Sequence, residues 1–179
     1  MKTFSLPKDH QLTSENRALF QRLNELFGYV PNLYRAIAYS DNAVKAYLNL
    51  QHFDSSLNAR QKTVVNLTVS HLQQGYYSLK AYSTLALQFG FNREQVEELA
   101  NGTASFDLSL QALINLTTQA VNNHGNIENA ELEKFFDAGY TEEQLVDVMM
   151  AVGETTIANY LYNIVRFPMD FNLSDRDGN

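Results

Sequence analysis

The sequence contains no cysteine and no tryptophan, and only three of its 179 residues are proline. The absence of cysteine excludes disulfide bonds, thiolate metal sites and any reaction cycle in which a cysteine of the chain is oxidised. It also agrees with a reducing compartment, and we expect the protein in the cytoplasm.

Positive charge and long apolar runs are scarce as well. The chain has 13 Lys and Arg residues against 20 Asp and Glu residues, a net charge of −7. An acidic protein does not suit the phosphates of nucleic acid or an anionic membrane surface. Residues 1–7 lack the apolar core of a signal peptide. The longest apolar stretch, residues 145–165, contains Asp147 and Glu154, whereas a membrane span needs about 20 nearly uncharged residues. We therefore expect no nucleic acid and no membrane as partners.

What the sequence does contain is apolar side chains at helical spacing. Its 45% hydrophobic content is enough for the core of a single domain over residues 1–179. No strand pattern competes, so the predicted fold class is all-α, with residues 172–179 as a polar, flexible tail. The predicted helices are 14–27, 31–38, 43–53, 59–73, 75–89, one starting after residue 92, 106–122, 130–138 and 142–167.

Two helix junctions have almost the same sequence. Residues 90–95 (GFNREQ) and 139–144 (GYTEEQ) each contain a terminating glycine, an N-cap residue and a glutamine that can bond back to the cap. Asn58 and Gln61 have the same cap arrangement. The two junctions indicate either an internal repeat or one local solution used twice.

The last predicted helix is apolar on nearly every side. Its apolar side chains fall on one face at Val148, Val152 and Tyr160, and on another at Met150, Ile157 and Leu161. A monomer of this size rarely covers such a helix all round. We therefore expect a subunit interface, and with it a homo-oligomer.

Residues 69–90 (VSHLQQGYYSLKAYSTLALQFG) place Val-Ser, Tyr-Ser and Ala-Tyr pairs around a helix junction. This pattern resembles the signature of the alkylhydroperoxidase D-like, or carboxymuconolactone decarboxylase, family. Residues 27–48 and 139–171 are similar to the family's N-terminal segment and C-terminal helix, so the resemblance extends over about residues 15–171. It implies an all-α alkylhydroperoxidase D-like multi-helix domain that assembles as a trimer or hexamer.

The thiol branch of that family carries a Glu, a Cys-x-x-Cys pair and a His. Laid over this chain, the Glu position falls on Thr63, the cysteine positions on Gly75 and Ser78, and the His position on Tyr82. In that branch the peroxide oxidises a cysteine sulfur of the protein. Glycine and serine have no sulfur and cannot undergo this reaction. A phenol has an ordinary pKa of about 10 and is a poor base at neutral pH. We therefore expect no thiol peroxidase activity.

Three functions remain open. The first is a family protein without redox cysteines that binds a small apolar or aromatic ligand or acts as an oligomeric scaffold. The second is an enzyme with decarboxylase- or isomerase-like acid–base chemistry in the same pocket. The decarboxylase branch, however, has a His at the position that corresponds to Tyr82. The third is an antioxidant peroxidase role that depends on a thiol-supplying partner. The candidate ligand-binding residues are Tyr77, Tyr82, Glu154 and Asn159.

Other residues are weaker candidates for a functional site. Ser78 and His71 could pair as nucleophile and base, but the predicted junction at Gly75 places them on different helices. We expect Glu154 to pair with an Arg or a Tyr across a subunit interface, and Asp147 to be solvated in an acidic first helical turn. No ligand spacing indicates a metal and no glycine-rich loop indicates a phosphate. We therefore expect no metal and no cofactor.

Overall fold

The computed structural model describes residues 5–170. In this part of the chain the regular structure is entirely helical, which confirms the predicted all-α class. A short 3-10 helix, Asp9–Gln11, comes first. The α-helices are α1 (Ser14–Phe27), α2 (Asn32–Ile37), α3 (Ala43–Gln51), α4 (Ala59–Leu72), α5 (Tyr76–Gln88), α6 (Arg93–Ala100), α7 (Leu108–Asn122), α8 (Asn129–Asp137) and α9 (Glu142–Val165).

The helix boundaries follow the local signals in the sequence. At the start of α4, Asn58 and Gln61 exchange hydrogen bonds of 3.0 Å between side chain and backbone N–H in both directions. The cap residues of the two similar junctions form the same reciprocal bonds at the starts of α6 and α9. Gly90 and Gly139, which precede them, have φ angles of 84° and 93°, a conformation that favours glycine. The predicted tail, 172–179, lies outside the described residues.

The chain divides into two compact units. Residues 54–160 form the larger unit, which contains α4 to α8 and most of α9. The smaller unit consists of the residues before and after this range. In it, α1 and α3 pack together, and the rings of Tyr34 and Tyr47 meet edge to face at 6.2 Å.

Helix α4 lies at the centre of the larger unit. Residues 63–70 of α4 are all buried, and α4 contacts α5, α6 and α7. Full burial of a Val or Leu side chain contributes about 1.5–3 kcal/mol, so this helix carries a large share of the core. Because α4 is held on several sides, its C-terminal end fixes where α5 begins.

None of the described helices combines the length and the hydropathy that a membrane-spanning helix requires.

Candidate functional site

The junction between α4 and α5 is a tight turn. Gln74 has a φ of 54°, in the left-handed region, and the backbone N–H of Gly75 donates to the Ser70 carbonyl at 2.8 Å. The turn places His71 on α4, where it is exposed, and Ser78 on α5, where it is only 3% exposed. The two residues thus lie on different helices, as predicted, and the structure gives no support for a Ser–His nucleophile.

Gly75, which the family resemblance would place at the first cysteine position, faces the side chain of Asn159. An ideal Cβ built on Gly75 would lie 2.0 Å from Asn159 Oδ1 and 2.3 Å from its Cγ. Asn159 is fully buried, and its Nδ2 donates to Gln73 Oε1 at 3.0 Å. Gln73 in turn donates to Thr156 Oγ1 at 2.9 Å. The amide of Asn159 therefore occupies the space that a side chain at position 75 would need.

Tyr82, which the family resemblance would place at the histidine position, contacts a carboxylate from α9. Its hydroxyl lies 3.1 and 3.2 Å from the two carboxylate oxygens of Glu154, which is fully buried. The Thr155 hydroxyl lies 3.0 Å from Asn66 Oδ1 and 3.4 Å from Glu154 Oε2. The predicted Tyr partner of Glu154 is thus present, but it belongs to the same chain.

Thr63, which the family resemblance would place at the glutamate position, has a hydroxyl that donates to the Ala59 carbonyl of its own helix at 2.7 Å. Tyr77 is 2% exposed and packs in the core. Of the predicted site residues, the structure therefore brings together Gly75 with Asn159 and Tyr82 with Glu154.

Sequence reasoning missed several members of this site. The polar side chains at the junction, which we call the junction cluster, are Asn66, Gln73, Tyr82, Glu154, Thr155 and Asn159. Helical spacing could have indicated them, because residues four or seven apart share a face. Asn66 on α4 and Gln73, the residue that follows α4, are seven apart, and Thr155 and Asn159 on α9 are four apart.

The prediction that Asp147 is solvated is wrong. Asp147 is 8% exposed, and its Oδ2 accepts hydrogen bonds from the Ser56 backbone N–H at 2.6 Å, the Ser56 hydroxyl at 2.7 Å and the Ser55 hydroxyl at 3.1 Å. Burial acts to raise the pKa of Asp147, but these hydrogen bonds and the charge of Lys62 hold it below its ordinary value. The carboxylate therefore anchors the loop before α4 to α9.

Two cavities have no residue of the junction cluster in their lining. One, of about 530 Å³, is in the smaller unit, and half of its lining residues are leucines of α1 and α3. The other, of about 330 Å³, lies between α7 and α8. Within residues 5–170, no group of three His, Cys, Asp or Glu side chains is arranged to hold a metal ion.

The model of the Carboxymuconolactone decarboxylase family matches residues 31–112, which confirms the resemblance predicted from the sequence. A comparison with curated proteins gives no significant match.

Solved structures confirm the alkylhydroperoxidase D-like fold. An uncharacterized peroxidase-related protein from Silicibacter sp. TM1040 superposes with a TM-score of 0.82 at 20% identity, over 93% of this chain and 90% of that chain. The alkylhydroperoxidase AhpD core protein from Ralstonia eutropha JMP134 gives 0.84 at 16% identity, over 95% and 92%. A cysteine-to-alanine variant of the debrominase Bmp8 in complex with 2,3,4-tribromopyrrole gives 0.76 at 14% identity, over 95% and 93%.

Proposed function

We propose that this protein has the alkylhydroperoxidase D-like fold without its thiol chemistry, and that it acts as an oligomeric scaffold. One observation carries the proposal: the buried amide of Asn159 lies 2.0 Å from the Cβ that any side chain at position 75 would add. Non-bonded heavy atoms pack at about 3.5–4 Å. A cysteine at this position would therefore overlap Asn159, and the two residues are matched to a site without a thiol.

The junction cluster supports a structural use of the same space. Its members hydrogen-bond α4 and α5 to α9, through Asn66, Gln73 and Tyr82 on one side and Glu154, Thr155 and Asn159 on the other. Side-chain hydrogen bonds in a buried network stiffen the packing around them, although Asn159 Oδ1 has no hydrogen-bond partner in the described part of the chain. The cluster thus favours a rigid junction over an open reaction pocket.

The exposed side of α9 supports self-association. Val146, Ile157 and Tyr160 of this helix are 61%, 47% and 57% exposed. Contiguous apolar surface on a soluble protein commonly marks an interaction site. The family resemblance implies a trimer or hexamer, and we propose a homo-oligomer for this chain.

A peroxidase assay tests the loss of thiol chemistry. The purified protein is incubated with an organic hydroperoxide and a dithiol, and hydroperoxide consumption is compared with that in buffer. We expect equal rates. Turnover above the buffer rate would contradict the proposal, and turnover that appears only when a thioredoxin-type protein is added would favour an antioxidant role with a thiol-supplying partner.

A second candidate function rests on the Tyr82–Glu154 contact. A phenol 3.1 Å from a buried carboxylate is a pair that can move a proton, as acid–base catalysis requires. Such an enzyme would lose activity in both Tyr82→Phe and Glu154→Gln. We therefore propose a screen of decarboxylation and isomerisation substrates with these two variants as controls, and activity lost in both would favour this function over the scaffold.

A small apolar or aromatic ligand is a further alternative. The debrominase structure supplies a probe, 2,3,4-tribromopyrrole, for calorimetric titration. Because Tyr77 and Asn159 are buried by packing, we expect no binding at the junction cluster. Binding that Tyr82→Phe and Asn159→Ala weaken would contradict that expectation.

Single-domain folding and cytoplasmic location remain proposals. One cooperative unfolding transition, seen alike by circular dichroism and tyrosine fluorescence, would support one domain over residues 1–179. Two separated transitions would contradict it. Fractionation of the native host tests the location.

A further inference from the structure

The solvent-facing side of α9 forms a continuous apolar stripe. From Val146 to Tyr160, each exposed position of the helix is apolar, aromatic or glycine, and the large side chains are 36–61% exposed. We call this set the α9 stripe: Val146, Met149, Met150, Gly153, Ile157 and Tyr160. Steps of three and four residues keep the set on one side of the helix. The stripe is about 21 Å long at 1.5 Å per residue.

Four of the five other stripe residues are placed symmetrically about Gly153. Val146 and Tyr160 lie seven residues before and after it, and Met149 and Ile157 lie four before and after it. When a twofold axis relates two identical antiparallel helices, a residue before the centre of one helix lies against the residue equally far after the centre of the other. The stripe therefore has the arrangement that self-pairing requires.

Gly153 is suited to the centre of such a pair. A Cβ added there would meet no atom within 4 Å, so the surface above it is open. Since glycine has no side chain, a second backbone can approach closely at this point. The larger side chains on either side would then pack around the crossing.

Charge decides between the two possible directions. The first turn of α9 carries Glu142 and Glu143, both exposed. A parallel pair would bring the four carboxylates of two copies together, which is unfavourable. An antiparallel pair separates the four carboxylates and sets the two helix dipoles in opposite directions, which is the favourable arrangement.

We propose that two copies of this chain pair through the α9 stripe, antiparallel and about a twofold axis, with Gly153 at the crossing. The pairing rests on the proposed self-association and gives it a geometry. It would bury the exposed apolar side chains of both copies without burying a charge. It would also bring Val146 of each copy close to Tyr160 of the other.

Cysteine cross-linking tests the geometry, because the chain has no cysteine of its own. We expect Gly153→Cys to form a disulfide-linked dimer under mild oxidation, since the two Cα atoms at the crossing can approach to about 4.4–6.8 Å. Val146→Cys alone should remain monomeric on a non-reducing gel, but a mixture of Val146→Cys and Tyr160→Cys should cross-link. Glu97→Cys, exposed on α6, measures random oxidation.

Two outcomes would overturn the pairing. Efficient cross-linking of Val146→Cys with itself would indicate parallel helices. Cross-linking of Gly153→Cys no faster than that of Glu97→Cys would exclude the proposed crossing.

Light scattering separates this inference from the proposed function. We expect wild type and Leu108→Glu, a control at an exposed leucine outside the stripe, to be oligomeric. The mass of Ile157→Glu should be at most half that of wild type, because this variant loses the twofold pairing. An oligomeric Ile157→Glu with an unchanged mass would overturn the pairing but leave the scaffold proposal standing. A monomeric wild type at the highest soluble concentration would overturn both. Circular dichroism confirms that each variant is folded.

Discussion

The side chain of Asn159 occupies the space that a side chain at Gly75 would need. The glycine has no Cβ, and the amide of Asn159 lies where that atom would be. The backbone at Gly75, with φ of −82°, would accept other residues. The need for glycine here is therefore steric and comes from α9, not from the turn itself.

The first prediction concerns this pair. Gly75→Ala should destabilise the protein by about 1–3 kcal/mol, the usual cost of overpacking a buried site. Asn159→Ala should remove most of that cost in the double variant, because it removes the overlapping atoms. Urea unfolding of wild type, both single variants and the double variant gives the coupling energy. Additive effects, or a neutral Gly75→Ala, would contradict the steric account.

The second prediction concerns the hydroxyl of Tyr82. Tyr82→Phe removes a donor to the buried carboxylate of Glu154 and should cost about 1–3 kcal/mol of unfolding free energy. Tyr76→Phe, at a neighbouring tyrosine that is 58% exposed, is the matched control and should be nearly neutral. Equal effects of the two substitutions in chemical denaturation would show that the Tyr82–Glu154 contact contributes little.

At the scale of elements, Asp147 joins α9 to the loop before α4. One carboxylate oxygen accepts three hydrogen bonds from Ser55 and Ser56. The loop precedes the Asn58 cap, so the contact fixes where α4 enters the core. The sequence pattern, three acidic residues at positions 142, 143 and 147, does not distinguish this anchoring residue from its two exposed neighbours.

The third prediction is the pH dependence of that anchor. The pKa of Asp147 is lowered on folding, so its stabilisation is fully present above the ordinary value of 3.8 and is lost as pH falls through the folded pKa. Asp147→Asn should cost about 1.5–3 kcal/mol near neutral pH, and the difference from wild type should shrink below pH 3.8. Glu143→Gln, exposed in the same helix, should show at most a small effect. A difference that does not change between pH 7 and the acid limit of the folded state would contradict this account.

At the scale of the whole molecule, the proposed self-association would link stability to assembly. It would cover the exposed apolar residues of α9, and association that occurs in the folded state alone stabilises that state by mass action. The fourth prediction is that the melting temperature rises with protein concentration. Ile157→Glu should weaken this dependence, whereas Leu108→Glu, at a residue 85% exposed on α7, should retain it. A wild-type melting temperature independent of concentration would contradict self-association.

The sequence by itself determined the helical class and most helix boundaries, because periodicity, caps and terminating glycines act within a few residues of one another. The family resemblance assigned the cysteine and histidine positions of the thiol branch to Gly75, Ser78 and Tyr82, and this assignment stays a prediction.

Only the tertiary structure decided what fills those positions. Gln73 and Asn159 are 86 residues apart in the chain, and Tyr82 and Glu154 are 72 apart. No local pattern encodes such contacts, because they depend on how α9 packs against α4 and α5. The same packing buries Asp147 and leaves the α9 stripe exposed. The spacing of apolar residues around the helix did not show which side would be buried and which exposed.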